Sequence, residues 1–478
     1  MNRPITRLFG FVLLLFALLV AFTSRWTIFE ASALRENPLN HRGLLEQQRI
    51  ARGEIVAANG TVLARSRQRE EGIYERFYPT GPLFSNAIGY YFTNRGSTGL
   101  EHYRTAALNG QTSTGLQRIL DQLQGKKPRG DKVVTTLDPA AQAVALKALE
   151  GNHGAVLALE PKSGAVTVMA SSPSFNPNAV RSNSEFQRLA SDSQNKPFVN
   201  RATQFGYAPG STFKVVTATA AIDTGQYTPQ SELSGRNNIL VSGKLLKNDE
   251  NESLGQITLT EALAKSVNTV WAQVAENLGK ATMGRYMNRF GFNRKPKLDY
   301  PANEMSISGE HSGERVIPPT SPQVDVGRMG IGQDKLEVVP LQMAEVAAAV
   351  ANKGTLMVPH MTAKIVNPEG QTVETIGPTV QSHVMKGSTA EDVRGMMEAV
   401  VNEGTGTSAQ IPGVQVAGKT GTAETQIGTA INNVWFIAFA PASNPTVAIA
   451  VTLESVPGQG ASYAAPVARQ VIEQLLRD

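Results

Sequence analysis

The opening boundary between polar and apolar positions decides the topology of this chain. Arg3 and Arg7 precede Leu8 to Phe22, a run interrupted only by Gly10 and apolar on every face of a helix. A bilayer needs about 20 such residues, and the strict run is shorter. A snorkelling Arg25 and an interfacial Trp26 extend the span to Phe29. Basic residues ahead of the run place the N-terminus in the cytoplasm and the rest of the chain outside, as a single-pass membrane protein. Ala31-Ser32-Ala33 resembles a signal-peptidase site, but Trp26 and Glu30 separate it from the apolar run. The expectation is an uncleaved anchor.

Beyond the anchor the apolar positions come in short pieces. Glu54 to Ala64 reads as strand, Asn59-Gly60 turn, strand. Lys126 to Asp131 is a polar break, followed by a short strand from Val133 to Thr136. A helix then opens with Asp138 as N-cap and Pro139 at its first position. From Gly154 the texture changes. Ala155 to Leu159 and Ala165 to Ala170 are apolar strands joined at Pro161 to Gly164, and Val434 to Ala440 and Thr446 to Glu454 form a second pair. Helical periodicity covers Leu259 to Leu278 and Leu341 to Ala351 between them, and Pro466 to Leu476 at the end. Strands from both ends enclosing a helical middle predict an α+β domain with one antiparallel sheet flanked by helices.

The length of 478 residues requires two or three domains. The pattern divides them as a cytoplasmic tail and transmembrane anchor over 1–29, a mainly-β or mixed pedestal module over 30–150, and a larger domain over 151–478. The 45 basic and 40 acidic residues form no long single-sign run, so the surface is a solvated one with no nucleic-acid stripe. Zero cysteines exclude disulfides, thiolate metal sites and cysteine catalysis. The six histidines show no ligand spacing, and neither a metal nor a cofactor is expected.

Three short motifs carry candidate chemistry. Pro209-Gly210-Ser211-Thr212-Phe213-Lys214 opens a helix, and residues three apart share a face, so the Ser211 hydroxyl can meet the Lys214 amine. A neutral amine can deprotonate a serine, provided burial or a nearby cation keeps it neutral. Ser266-Val267-Asn268 offers a second hydroxyl as a proton relay and an amide that can bind a substrate carbonyl. Lys419-Thr420-Gly421-Thr422 supplies a cation and hydroxyls suited to a carboxylate, with a glycine permitting close backbone approach. Each motif recurs by chance. Ser193 to Lys196 also fits SxxK, Ser174 to Asn176 fits SxN, and Lys162-Ser163-Gly164 is a variant of the third.

The ordered set of three is far more specific, and by it the chain resembles the penicillin-recognising serine enzymes. It is most similar to class B penicillin-binding proteins, in particular the short actinobacterial penicillin-binding protein A type. Arg52-Gly53-Glu54-Ile55, Gly99-Leu100-Glu101, Thr136-Leu137-Asp138, Gly330-Ile331-Gly332-Gln333, Pro340 to Ala344 and Ile411 to Gln415 carry the likeness along nearly the whole chain after the anchor. The resemblance implies a penicillin-binding transpeptidase domain and D,D-transpeptidation of peptidoglycan stem peptides ending in D-Ala-D-Ala. Ser211 would be the nucleophile, Lys214 its base and Ser266 the relay to the leaving amine. Asn268 would position the donor, and Lys419, Thr420 and Thr422 would hold its carboxylate. The backbone N–H groups of Ser211 and Thr422 would form the oxyanion hole. It also implies acylation by β-lactams and, since no polymerase domain fits before Gly154, a glycan polymerase partner of the SEDS membrane family.

Other readings compete. Gly413 to Thr420 satisfies the phosphate-loop pattern GxxxxGK[ST], but no buried strand precedes it and no helix follows it. A non-catalytic cell-wall scaffold need not keep all three motifs. A D,D-carboxypeptidase or β-lactamase-like hydrolase shares the chemistry, yet has no need of an anchor and a long N-terminal module.

Overall fold

A computed structural model describes residues 3–25, 48–70, 72–111, 129–424 and 431–477; the expectations resting on Trp26 to Phe29 and on Ala31-Ser32-Ala33 lie outside these. Helix α1 (Arg3–Ser24) buries none of its side chains. Its 22 residues span about 33 Å, enough to cross a bilayer core.

The expected hairpin is formed by β1 (Ile55–Val56) and β2 (Val62–Glu70), closed by Gly60 at φ +86°. Next come β3 (Ile73–Phe77), β4 (Lys132–Thr135) and α2 (Pro139–Ala148). Asp138 caps α2 by accepting from Ala141 N at 2.7 Å, with Pro139 at the first position, as the sequence predicts. The larger domain then runs through β5 (Gly154–Leu159), β6 (Val166–Ser172), α3 (Lys214–Asp223), α4 (Leu259–Ala264), α5 (Asn268–Phe290) and α6 (Pro340–Ala351). It continues with β7 (Thr362–Val366), β8 (Thr372–Thr375), α7 (Gly387–Asn402), β9 (Ala417–Glu424), β10 (Ile431–Ala440), β11 (Val447–Pro457) and α8 (Ala464–Leu475).

One five-stranded sheet, ordered β9-β10-β11-β5-β6, is antiparallel throughout. It joins the strand pairs from the two ends of the domain. Val434, Phe436 and Ala438 point into a core shared with α2 and α8. Trp435, Ile437 and Phe439 point into the opposite core, shared with α3 and α6. Because both faces are covered, these strands read as continuous apolar runs rather than alternating ones. A second sheet, ordered β8-β7-β4-β1-β2-β3, completes the N-terminal hairpin with strands from residues 362–375. β4 lies parallel to β1 and antiparallel to β7. Arg52 and Arg76 anchor that module by pairing with the fully buried Glu101 at 2.8 and 2.6 Å.

One expected element is corrected. The periodicity over Leu259 to Leu278 predicts a single helix, but the chain breaks at Lys265 to Val267, between α4 and α5. Val267 N bonds to Ala262 O and Ser266 N to Leu263 O, with Ser266 at φ +59°. This is a Schellman ending with serine at the left-handed position that glycine usually takes. No glycine marks the stop, so the apolar rhythm runs through it. Gly279, at φ +73°, then kinks α5 where the predicted helix ends.

Candidate active site

Three segments converge beside the outer sheet strand β9. Ser211 sits in a tight turn, Gly210–Phe213, that feeds directly into α3. The turn lies against β9 because glycines clear the contact. A Cβ on Gly210 (φ +52°) would stand 2.5 Å from Thr422 O, and one on Gly421 would stand 2.8 Å from Pro209 O. Gly421 thus serves the close approach of the Ser211 turn, in addition to lining the cleft. Behind the turn, Gly210 N donates to Gly332 O at 3.0 Å.

Lys214 Nζ is the centre of the arrangement. It lies 2.9 Å from Ser211 Oγ, 3.1 Å from Ser266 Oγ, 2.7 Å from Ser266 O and 2.7 Å from Asn268 Oδ1. The helix break places Ser266 and Asn268 here. Two of the four partners are pure acceptors, which a neutral amine satisfies with its two N–H bonds. Its lone pair then faces the hydroxyls, in the geometry needed to take a proton from Ser211. Lys214 is fully buried, and that desolvation lowers its pKa from 10.5 to about 7, against an upward pull from the Asp249 carboxylate.

Lys419 closes the far side. Its Nζ lies 3.0 Å from Ser266 Oγ and from Thr420 O, and 3.3 Å from Thr420 Oγ1. It too is fully buried, and burial together with the neighbouring Lys214 holds its pKa well below the ordinary lysine value. Ser266 therefore bridges two buried amines. Thr422 faces the loop after β11, accepting from Gly460 N at 3.3 Å. The eight candidate residues, from Ser211 and Lys214 through Ser266 and Asn268 to Lys419, Thr420, Gly421 and Thr422, are thus brought together around one cleft.

The competing motifs fall elsewhere. Ser193 to Lys196 lies in irregular turns, with Lys196 at φ +44° and its amine over the Phe205 ring. The phosphate-loop match ends inside β9, where Lys419 pairs with Ile437 of β10 and no helix follows. Thr405 and Asp249 are among the polar groups of the cleft that carry no sequence motif. Thr405 Oγ1 is 2.6 Å from Thr420 Oγ1. Asp249 reaches the cleft from a loop 17 residues before Ser266 in the chain. The signal for Thr405 is its glycine flank: a Cβ on Gly404 would sit 2.3 Å from Ala264 O, so the loop must press against the end of α4.

Residues 154–473 match the penicillin binding protein transpeptidase domain, and residues 52–133 match the penicillin binding protein A dimerisation domain. Over their full lengths, the chain and the peptidoglycan D,D-transpeptidase PbpA of Mycolicibacterium smegmatis are 33% identical. The corresponding protein of Mycobacterium tuberculosis is 32% identical, over 100% of this chain and 99% of its own. Among solved structures, the ceftriaxone acyl-enzyme of penicillin-binding protein A from M. tuberculosis superposes with a TM-score of 0.81 at 31% identity, covering 90% of this chain and 99% of that one. The apo form of penicillin-binding protein 3 from the same organism gives 0.75 at 27% identity, covering 90% and 96%.

Proposed function

This chain belongs to the class B penicillin-binding proteins and is a peptidoglycan D,D-transpeptidase, and from that premise we propose how its own residues perform the reaction. The observation that carries the reading is a buried Lys214 amine, 2.9 Å from Ser211 Oγ, with a pKa brought down to about 7. Ser211 gives its proton to neutral Lys214 and attacks the carbonyl of the penultimate D-Ala of a donor stem. The Ser211 and Thr422 backbone N–H groups receive the developing oxyanion. Ser266, within hydrogen-bond distance of both lysines, passes the proton to the departing D-Ala nitrogen. Asn268 aligns the donor peptide. Thr420 and Thr422 hold the terminal carboxylate, whose charge draws a proton onto Lys419. An amine of a neighbouring stem then resolves the ester.

β-Lactams enter the same path, because the strained amide acylates Ser211. We read the chain as an anchor over 1–29, a pedestal over 30–150 and a catalytic domain over 151–478. The chain is membrane-anchored through α1. The two arginines ahead of the apolar run favour a cytoplasmic N-terminus and an extracytoplasmic catalytic domain. A SEDS-family polymerase, meeting the anchor and pedestal, would supply the glycan strands.

The deciding experiment treats the full chain in detergent with fluorescent penicillin and maps the label by mass spectrometry, with S211A as control. Stoichiometric label on Ser211, absent from the variant, is the expected result. A folded wild-type protein that takes no label would instead favour the non-catalytic scaffold.

A further inference from the structure

The mechanism above leaves one charged group of the cleft without a task. Asp249 lines the same cleft as Ser211 and is its one acidic side chain among the described residues. Its carboxylate is lightly engaged: Asn268 Nδ2 stands 3.4 Å from Oδ1, beyond a firm N–H···O bond.

The backbone around it is held from both sides. Asn248 is buried; its Nδ2 donates to Gly235 O and Glu252 O at 3.0 Å, and its Oδ1 accepts from Thr269 N in the first turn of α5 at 2.9 Å. Glu250 and Asn251, which follow Asp249, take φ values of +53° and +58°. Two consecutive left-handed residues without glycine are a strained turn that the surrounding structure must enforce. The consequence of that strain is an aspartate presented beside Asn268 at the mouth of the site. Its charge is felt inside, raising the proton affinity of both Lys214 and Lys419.

We propose that Asp249 is the acceptor-recognition residue, holding the ammonium of an incoming primary amine so that the acyl group passes to nitrogen rather than to water. This rests on the acyl-transfer reading of Ser211. The acceptor class is a peptide carrying a free side-chain or terminal amine, cationic in solution. The carboxylate concentrates it at the cleft mouth, and neutral Lys214 takes one proton from it. The nitrogen then attacks the acyl carbon, an amide C–N bond forms, and the Ser211 ester C–O bond breaks. One amine proton ends on Ser211 Oγ and a second leaves to solvent, so the charges balance. Water, being uncharged, gains nothing from Asp249.

The test uses the full chain in detergent, acylated from a thioester analogue of the donor, with a lysine-containing peptide amine as the charged acceptor and methanol as an uncharged one. Mass spectrometry gives the ratios of amide and of methyl ester to hydrolysis product. D249N should lower the amide ratio about three- to five-fold, the scale of an exposed ion pair, without lowering the methyl ester ratio; D249E should restore it. Raising ionic strength should lower the amide ratio of the wild type and not of D249N. An unchanged amide ratio in D249N, or a fall shared by the methyl ester, overturns the proposal while Ser211 labelling stands. Failure of wild-type Ser211 to label with penicillin overturns the acyl-transfer reading and this inference with it.

Discussion

The buried Lys214 makes acylation depend on pH in a way that can be worked out in advance. Its pKa is brought from 10.5 to about 7 by burial. An amine at 10.5 would be neutral in only about three molecules in ten thousand at pH 7, whereas at about 7 roughly half are neutral. The second-order rate of penicillin acylation should therefore rise about tenfold from pH 6 to pH 8 and be flat above pH 8. An unshifted lysine would give about a hundredfold rise over the same interval and no plateau. The assay is stopped-flow or quenched labelling of the full chain in detergent from pH 5.5 to 9.5. D249N removes a carboxylate that pulls the pKa up, so its midpoint should move to lower pH. The same shift acts on stability. Between pH 7 and 10.5 the unfolded chain binds a proton that native Lys214 does not, so this residue's contribution to stability rises with pH across that window, by about 5 kcal/mol in total. A rate still climbing tenfold per unit at pH 9, or level from pH 5.5, would refute the assignment of Lys214 as a neutral base.

Ser266→Gly separates conformation from chemistry at the helix break. Glycine relieves the cost of φ +59°, which offsets the lost hydrogen bonds, so stability should change by less than about 1 kcal/mol in thermal melts while acylation falls about 10²-fold or more. Glu345 on α6 is buried with Oε1 unpartnered, and desolvation raises its pKa from 4.5 to about 8. Native Glu345 thus keeps a proton the unfolded chain loses, its contribution to stability falls as pH rises from 4.5 to 8, and E345Q should gain on the wild type by about 3–5 kcal/mol at pH 9 with little difference at pH 4.5. Gly332→Ala would place a Cβ 1.9 Å from Gly210 O at φ +78°, so it should cost at least about 2 kcal/mol in denaturant melts and abolish penicillin labelling of Ser211.

The sequence made the large elements legible where a local rule and burial agreed. Asp138-Pro139 announced α2 because a capping oxygen and a fixed φ act within four residues. Four strands of the main sheet, β5, β6, β10 and β11, were plain because both faces are buried, which leaves few polar positions; β9, with Lys419, Thr420 and Thr422 in it, gave no such apolar run. The break at Ser266 was hidden because a serine occupies a left-handed position without the glycine that normally marks it. Asp249 and Thr405 were hidden for a different reason. Their positions depend on a strained turn and on a glycine-flanked loop pressed against α4, neither of which leaves a periodic trace.

The three motifs are informative together because none of them works alone. A lysine at the start of α3 would be an ordinary solvated cation; it can serve as a base only where the α4–α5 break and β9 close over it and exclude water. Burying a second lysine beside the first is costly, and two glycines on the nucleophile side, Gly210 and Gly332, together with Gly421 on the strand side, are needed to bring the backbones close enough to achieve it. The cost is tolerated because Ser266 gives both amines a shared hydroxyl partner, which ties their protonation states to one another. A carboxylate bound at Thr420 and Thr422, as proposed, would favour a charged Lys419, and a charged Lys419 in turn favours a neutral Lys214. In the proposed mechanism, substrate binding and activation of Ser211 would thereby be coupled: the group that identifies the substrate would also shift the base toward the form that can act on it.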